Sequence, residues 1–220
     1  MSVYFITGID TDAGKTFATG LAARYLLRCG KKVITQKLVQ TGHDTNLSGD
    51  ILIHRQLMQC ETFAEDIDGT TSPYRFTFPA SPELAAKLEG QTLDPSNIAA
   101  ATERLLTRFD TVLLEGTGGF CVPLTPSMLV ADYVAIKKYP VILVTSGKLG
   151  SINHTVLTLE AIHHRKIPLA GIVFNDYPQT DETIRQDSFD LFQRHCKKIV
   201  TLPHVDLNAI PNVDFSAVFY

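Results

Sequence analysis

The sequence predicts an α/β fold, a mostly parallel sheet covered by helices on both faces. Two observations predict it. Short runs rich in Val, Ile and Leu recur along the 220 residues, too continuously apolar to leave one face wet. Helix-length stretches with their own start and stop residues separate those runs. No internal repeat, low-complexity tract or linker interrupts the pattern, so a single domain over residues 1–220 is expected.

The elements follow in order. Val3 to Thr7 is a β-rich apolar run ended by Gly8. From Lys15 to Cys29, Phe17, Leu21 and Tyr25 recur every fourth residue, which predicts a helix, and Gly30 suits the position just past its end. Val33–Val39 reads as the second strand, followed by Thr111–Glu115, Val141–Ser146, Leu169–Asn175 and Ile199–Leu202. Ser81-Pro82 and Asp94-Pro95 each place an N-cap before a proline at the first helical position. The second of these helices runs to about Arg108. Further helices are expected near Ile51–Gln59, Leu129–Lys137, Ile152–His164 and Glu182–Arg194. The tail from Asp206 to Tyr220 shows no helical pattern.

Composition narrows the function. A net charge of −3 offers no basic excess for a nucleic acid or an anionic membrane, so neither is an expected partner. No apolar run reaches the roughly 20 residues of a membrane span, and MSVYFITG lacks a basic leader, so a cytoplasmic protein is expected. Cys29, Cys60, Cys121 and Cys196 match no zinc or CxxC spacing and read as reduced, mostly buried thiols. The seven histidines form no metal motif and read as surface or packing residues.

The strongest motif is Gly8-Ile-Asp-Thr-Asp-Ala-Gly14-Lys15-Thr16, between the first strand and the first helix. That is the setting of a P-loop. Gly14 lets backbone N–H groups approach phosphate oxygens, and the helix N-terminus adds partial positive charge. Lys15 supplies a cation and Thr16 a hydroxyl ligand for Mg²⁺. Five residues, Ile9 to Ala13, separate the first Gly from Gly-Lys-Thr, where four are usual. Partition-type ATPases carry a second lysine early in this loop, and Ile9-Asp10 offers none. A second metal anchor is expected at the end of a buried strand, and Glu115 fits, beside Gly116-Thr117-Gly118-Gly119. A solvated strand-end carboxylate is the alternative for it.

Together these residues resemble the dethiobiotin synthetases, ligases of P-loop NTPase type. The markers are Thr7 to Thr16, then Lys37-Leu-Val-Gln-Thr41-Gly42, Glu115 to Gly119, Lys148 to His154, and Asn175-Asp176. They run in family order from residue 1 to about 177. The five-residue loop spacing is itself a trait of the family. The resemblance implies closure of a cyclic urea on 7,8-diaminononanoate from CO₂ and ATP, with Mg²⁺. It implies a phosphate and nucleotide site made of Asp12, Ala13, Gly14, Lys15, Thr16 and Phe17, with Gly116, Thr117 and Gly118. Lys15, Lys37 and Thr11 would be catalytic, and Thr16, Asp50 and Glu115 would hold the metal.

Lys37 is expected at the end of the second strand, next to the P-loop; without the family match it reads as an exposed lysine. Asp50 precedes a helix and also fits a plain N-cap, with Asp44 as its competitor for the metal. Thr41 matches the family's substrate hydroxyl. Gly150, Ser151 and Asn153 match the turn that binds the substrate's tail carboxylate from a neighbouring subunit, which implies a homodimer. An ordinary capped helix start is the other reading of that turn. Asn175 and Asp176 match the pair that reads adenine. Later, Pro203-His204-Val205 stands where the family has a Pro-aromatic-Leu turn lining the base. The rival of another class is a nucleotide-switch ATPase that controls partner binding.

Overall fold

The computed structural model describes residues 1–43, 47–177 and 179–220. In chain order the elements are β1 (Ser2–Gly8), a 3-10 turn (Thr11–Ala13), α1 (Lys15–Arg28), β2 (Val33–Lys37), α2 (Gly49–Met58), α3 (Ala64–Ile67), α4 (Pro82–Leu88), α5 (Pro95–Leu106), β3 (Thr111–Gly119), β4 (Pro123–Thr125), β5 (Met128–Leu129), α6 (Val130–Lys137), β6 (Val141–Ser146), α7 (Ser151–His164), β7 (Leu169–Asn175), α8 (Glu182–His195), β8 (Ile199–Leu202) and α9 (Ser216–Phe219).

Six strands form one parallel sheet in the order β2-β3-β1-β6-β7-β8. The chain leaves β1 toward one edge of the sheet and β3 toward the other. The crevice between their carboxyl ends is where such sheets take ligands. The strands are buried on both faces, as their continuous apolar runs require. Phe5, Val112, Leu114 and Val141 pack with Ile98, Leu105 and Val134 from α5 and α6. The alternate residues Ile6, Leu113, Ile142 and Val144 pack with Leu21, Ala22 and Leu26 of α1. Each large apolar side chain buried this way contributes about 1.5–3 kcal/mol.

α1 and α2 meet closely at Gly20. A Cβ there would lie 2.6 Å from Leu57 Cδ1, so the two backbones approach as near as they do only because this residue has no side chain. The proline-led helices start as their caps predict. Ser81 Oγ accepts from the Leu84 N–H and Asp94 Oδ1 from the Ser96 N–H.

Three expectations are corrected. β2 ends at Lys37 rather than Val39, because the next residues turn to pair with the segment at Tyr74–Phe76: the Gln40 N–H donates to Tyr74 O at 2.9 Å. β3 stands between β1 and β2, and Lys37 still ends β2 close to the P-loop, lining one cavity with Lys15 and Thr16. The cysteines are free but not buried; Cys29 and Cys121 are exposed, and Cys60 and Cys196 half-buried. The tail carries the one-turn helix α9, too short to show a period, and is packed down by fully buried Phe215 and by Val218. Among the described residues no helix is long and apolar enough to cross a membrane.

Candidate active site

The loop after β1 is shaped by backbone need. Gly14 has φ +94°, in the left-handed region, and a Cβ there would stand 2.4 Å from Asn175 Nδ2. Asn175 is packed against the loop because its Nδ2 donates to Ala13 O at 3.1 Å, while its Oδ1 accepts from the Tyr177 N–H at 3.2 Å. Asp10 holds the turn, its Oδ1 accepting from the Thr11 N–H at 2.7 Å. Lys15 is buried, and its ammonium donates to Asp10 O at 2.8 Å and Thr11 O at 3.1 Å.

Burial, then the neighbouring Lys37 cation, lowers the pKa of Lys15 to about 8. The folded value lies below the unfolded one, so the unfolded chain binds more protons between pH 8 and the ordinary lysine value of 10.5. The charged form therefore costs stability below about pH 8, and that cost fades as pH rises toward 10.5. Phosphate binding runs the other way, since it needs the charged form. Affinity for a non-hydrolysable ATP analogue should hold steady up to about pH 8, then fall by up to tenfold per pH unit. Calorimetric titrations between pH 7 and 10 would check this; a flat profile would remove Lys15 from phosphate binding.

The second half of the site centres on Glu115, which is wholly buried within β3. The strand runs on to Gly119, so this is no solvated strand-end carboxylate. Its Oε1 accepts from Thr16 Oγ1 at 3.1 Å and from Lys37 Nζ at 2.8 Å. Its Oε2 meets His54 Nε2 at 2.7 Å. Burial opposes the Glu115 charge, but Lys37 and His54 outweigh it and hold the carboxyl far below the usual carboxylate range.

Lys37, the last residue of β2, pairs in register with Glu115. The residue is 4% exposed, and its ammonium contacts Asp50 as well as Gly116 O at 3.0 Å. Burial disfavours this cation, yet Glu115 and Asp50 raise its pKa above the ordinary lysine value. Asp50 is not the N-cap of α2. Ser48 is, its Oγ accepting from the Ile51 N–H at 3.4 Å, which leaves Asp50 in the first turn facing Lys37.

One polar cavity of about 260 Å³ gathers most of the predicted residues: Thr11, Asp12, Lys15, Thr16, Lys37, Thr41, Asp50, Glu115, Thr117 and Gly118. The Thr117 hydroxyl is committed to Val39 O. A second cavity of about 250 Å³ is lined by Phe17, Asn175, Tyr177, Leu202, Pro203, His204 and Val205. Within it the Tyr177 and His204 rings lie 4.6 Å apart. Asp176 lines neither cavity and pairs with Arg185 Nε at 2.5 Å. Gly150, Ser151 and Asn153 also lie outside both; Gly150 caps α7 and Ser151 Oγ pairs with Ser146 Oγ at 3.0 Å. Asp44 falls outside the described residues.

Two residues escape the sequence reading. Gln40 lines the first cavity, and its Oε1 accepts from the Asp50 N–H at 3.2 Å. It lies within the Lys37-to-Gly42 marker, but nothing in the local sequence assigns it a role. His54 is no ordinary packing histidine, because its ring holds the Glu115 carboxylate. Its position four residues after Asp50, on one face of α2, was the available signal.

A family model described as an AAA domain matches residues 2–207. The chain is 47% identical over 196 residues to the ATP-dependent dethiobiotin synthetase BioD 2 of Pasteurella multocida, covering 89% of this chain and 92% of that protein. It is 48% identical over 208 residues to the BioD of Chlorobaculum tepidum, covering 94% and 87%. Among solved structures, a ParA family ATPase from Chlorobium tepidum superposes with a TM-score of 0.57 at 14% identity, over 93% of this chain and 85% of that one. That likeness is one of fold alone. With nearly half of its residues shared over most of both lengths, the chain belongs to the dethiobiotin synthetase family.

Proposed function

We propose that this chain, one ligase domain over residues 1–220, closes the ureido ring of dethiobiotin from 7,8-diaminononanoate, CO₂ and ATP. The observation that carries the reading is a single polar cavity lined by the two buried cations Lys15 and Lys37 together with Thr16, Asp50 and Glu115. The reaction must bring two anions together, and cations in a water-poor site offset their repulsion.

One amine of the substrate adds to CO₂ and loses a proton, giving a carbamate. A carbamate oxygen then attacks the γ-phosphorus, and the bond to ADP breaks. The second amine attacks the carbonyl carbon of this mixed anhydride, loses a proton and expels phosphate. Lys15 and the loop N–H groups hold the terminal phosphates. Lys37 offsets charge where carbamate and γ-phosphate meet, and the Thr11 and Thr41 hydroxyls orient the reactants.

The oxygen set of Thr16, Asp50 and Glu115 fits Mg²⁺, a hard cation usually held by one or two carboxylates together with phosphate oxygens. The Lys37 ammonium already stands among the two carboxylates and Gly116 O, so these oxygens accommodate positive charge. Bound there, the metal would supply neutralisation of phosphate charge.

The second cavity suits the base. Phe17, Tyr177 and His204 offer ring faces, and His204 takes the place of the aromatic in the family's late turn. Asp176, held by Arg185, would act on the base only by releasing that partner. For the substrate's tail carboxylate, the N-terminus of α7 has no side-chain cap and follows Leu149, 80% exposed. Those features support a homodimer in which Gly150, Ser151 and Asn153 serve the neighbouring subunit's site. The reading places the enzyme in the cytoplasm.

The test is turnover. Purified protein with Mg-ATP, bicarbonate and 7,8-diaminononanoate should release phosphate and form dethiobiotin in equal amounts. No diamine-dependent product would overturn the proposal.

A further inference from the structure

We infer that His54 is a positioning residue for the Glu115 carboxylate: it fixes Oε2 from behind, so that Oε1 is the oxygen presented to Thr16 and the cavity. The inference rests on the ligase reading for what Glu115 serves, and on geometry for the rest. His54 is 0% exposed and is not among the residues lining the polar cavity; its imidazole spans Thr35 on β2 and Glu115 on β3.

Counting donors assigns the ring. An ionised carboxylate only accepts, so Nε2 carries the proton it donates to Oε2 at 2.7 Å. Thr35 Oγ1 accepts from Arg55 Nη1 at 2.8 Å. Its own proton is then free to point at His54 Nδ1, 3.0 Å away. Arg55 is itself pinned by Asp66, through Nε at 2.8 Å and Nη2 at 2.7 Å. A chain of hydrogen bonds thus runs from Asp66 through Arg55 and Thr35 to the imidazole.

The consequence follows from where His54 sits. Asp50 and His54 lie one turn apart on α2. One helix therefore sets Asp50 directly and Glu115 through the imidazole. Without His54 the buried Oε2 would have no donor among the described residues, and the carboxylate could turn either oxygen toward Thr16 and Lys37. Partners of this kind behind a metal-binding carboxylate typically matter 10- to 100-fold to metal affinity.

The experiment titrates a non-hydrolysable ATP analogue calorimetrically, with Mg²⁺ and with EDTA, into wild type, His54→Leu, His54→Gln and Thr35→Val. His54→Leu should lose about 10- to 100-fold of the affinity gained with Mg²⁺ and stay within about twofold of wild type in EDTA. His54→Gln keeps an N–H within reach of Glu115 and should recover most of the loss. Thr35→Val retains the ring but frees it, so a smaller loss of the same kind is expected; it also supplies the readout if His54→Leu does not fold. An unchanged Mg²⁺ response, or equal weakening with and without Mg²⁺, would overturn the inference and leave His54 a packing residue. No diamine is present, so a wild type that fails to make dethiobiotin would sink the ligase reading without touching this result.

Discussion

Lys37→Gln is expected to lower diamine-dependent turnover by about 100-fold or more, the scale of a removed electrostatic stabiliser. The Lys37 ammonium is almost wholly buried and held by Asp50, Glu115 and Gly116 O. Its raised pKa keeps it charged at any pH where the enzyme would work. Glutamine of similar length removes the charge and leaves two carboxylates facing one another. Two like charges about 4 Å apart repel by about 4 kcal/mol at a protein-surface dielectric. The loss should fall on kcat more than on the KM for ATP, because Lys15 and the loop remain to hold the phosphates. Nucleotide affinity carries a second signature. Lys37 is one of the causes that lower the Lys15 pKa, so the break near pH 8 should move upward in the variant. Initial rates and the pH titration measure the two effects separately. Wild-type turnover in Lys37→Gln would remove this lysine from the reaction.

Gly14→Ala is expected to weaken nucleotide binding by about 100-fold or more and to destabilise the fold by about 2–3 kcal/mol. The conformation at φ +94° alone strains an L side chain by about 1–2 kcal/mol. The new Cβ would also meet Asn175 Nδ2 at 2.4 Å, so Asn175 must move and give up its bond to Ala13 O. That bond adds about 1 kcal/mol. For a chain of this length the melting temperature should drop by about 5–10 °C. The same shift disturbs the cavity that Asn175 lines with Tyr177 and His204. Thermal melts and nucleotide titration measure both effects. A variant matching wild type in each would show that the loop tolerates a side chain at position 14.

The parts of this molecule that were legible in sequence are those whose cause is local. The P-loop, the proline-led helices at Ser81 and Asp94 and the buried strands each carry their reason within about ten residues. The hairpin of β4 and β5, and the short α3 and α9, have too few residues to establish a period. For Glu115 the sequence favoured a metal anchor but left a solvated strand end open, because its burial comes from β2, α1 and α2 rather than from its neighbours in the chain. For the same reason His54 looked ordinary: its partner is 61 residues away. Thr117 and Asp176 show the converse. Their residue types suit a nucleotide site, but Val39 O and Arg185 already engage their side chains.

The Glu115 carboxylate also has a kinetic meaning. Its three side-chain contacts close loops of 99, 78 and 61 residues, to Thr16, Lys37 and His54. Contacts so distant in sequence form only after much chain entropy has been given up. The polypeptide must therefore bring β1, β2 and β3 into one sheet, with α1 and α2 docked on it, before any of this chemistry exists. A half-folded chain carries no half-active site, and regained ligase activity is a strict reporter that the central topology is complete.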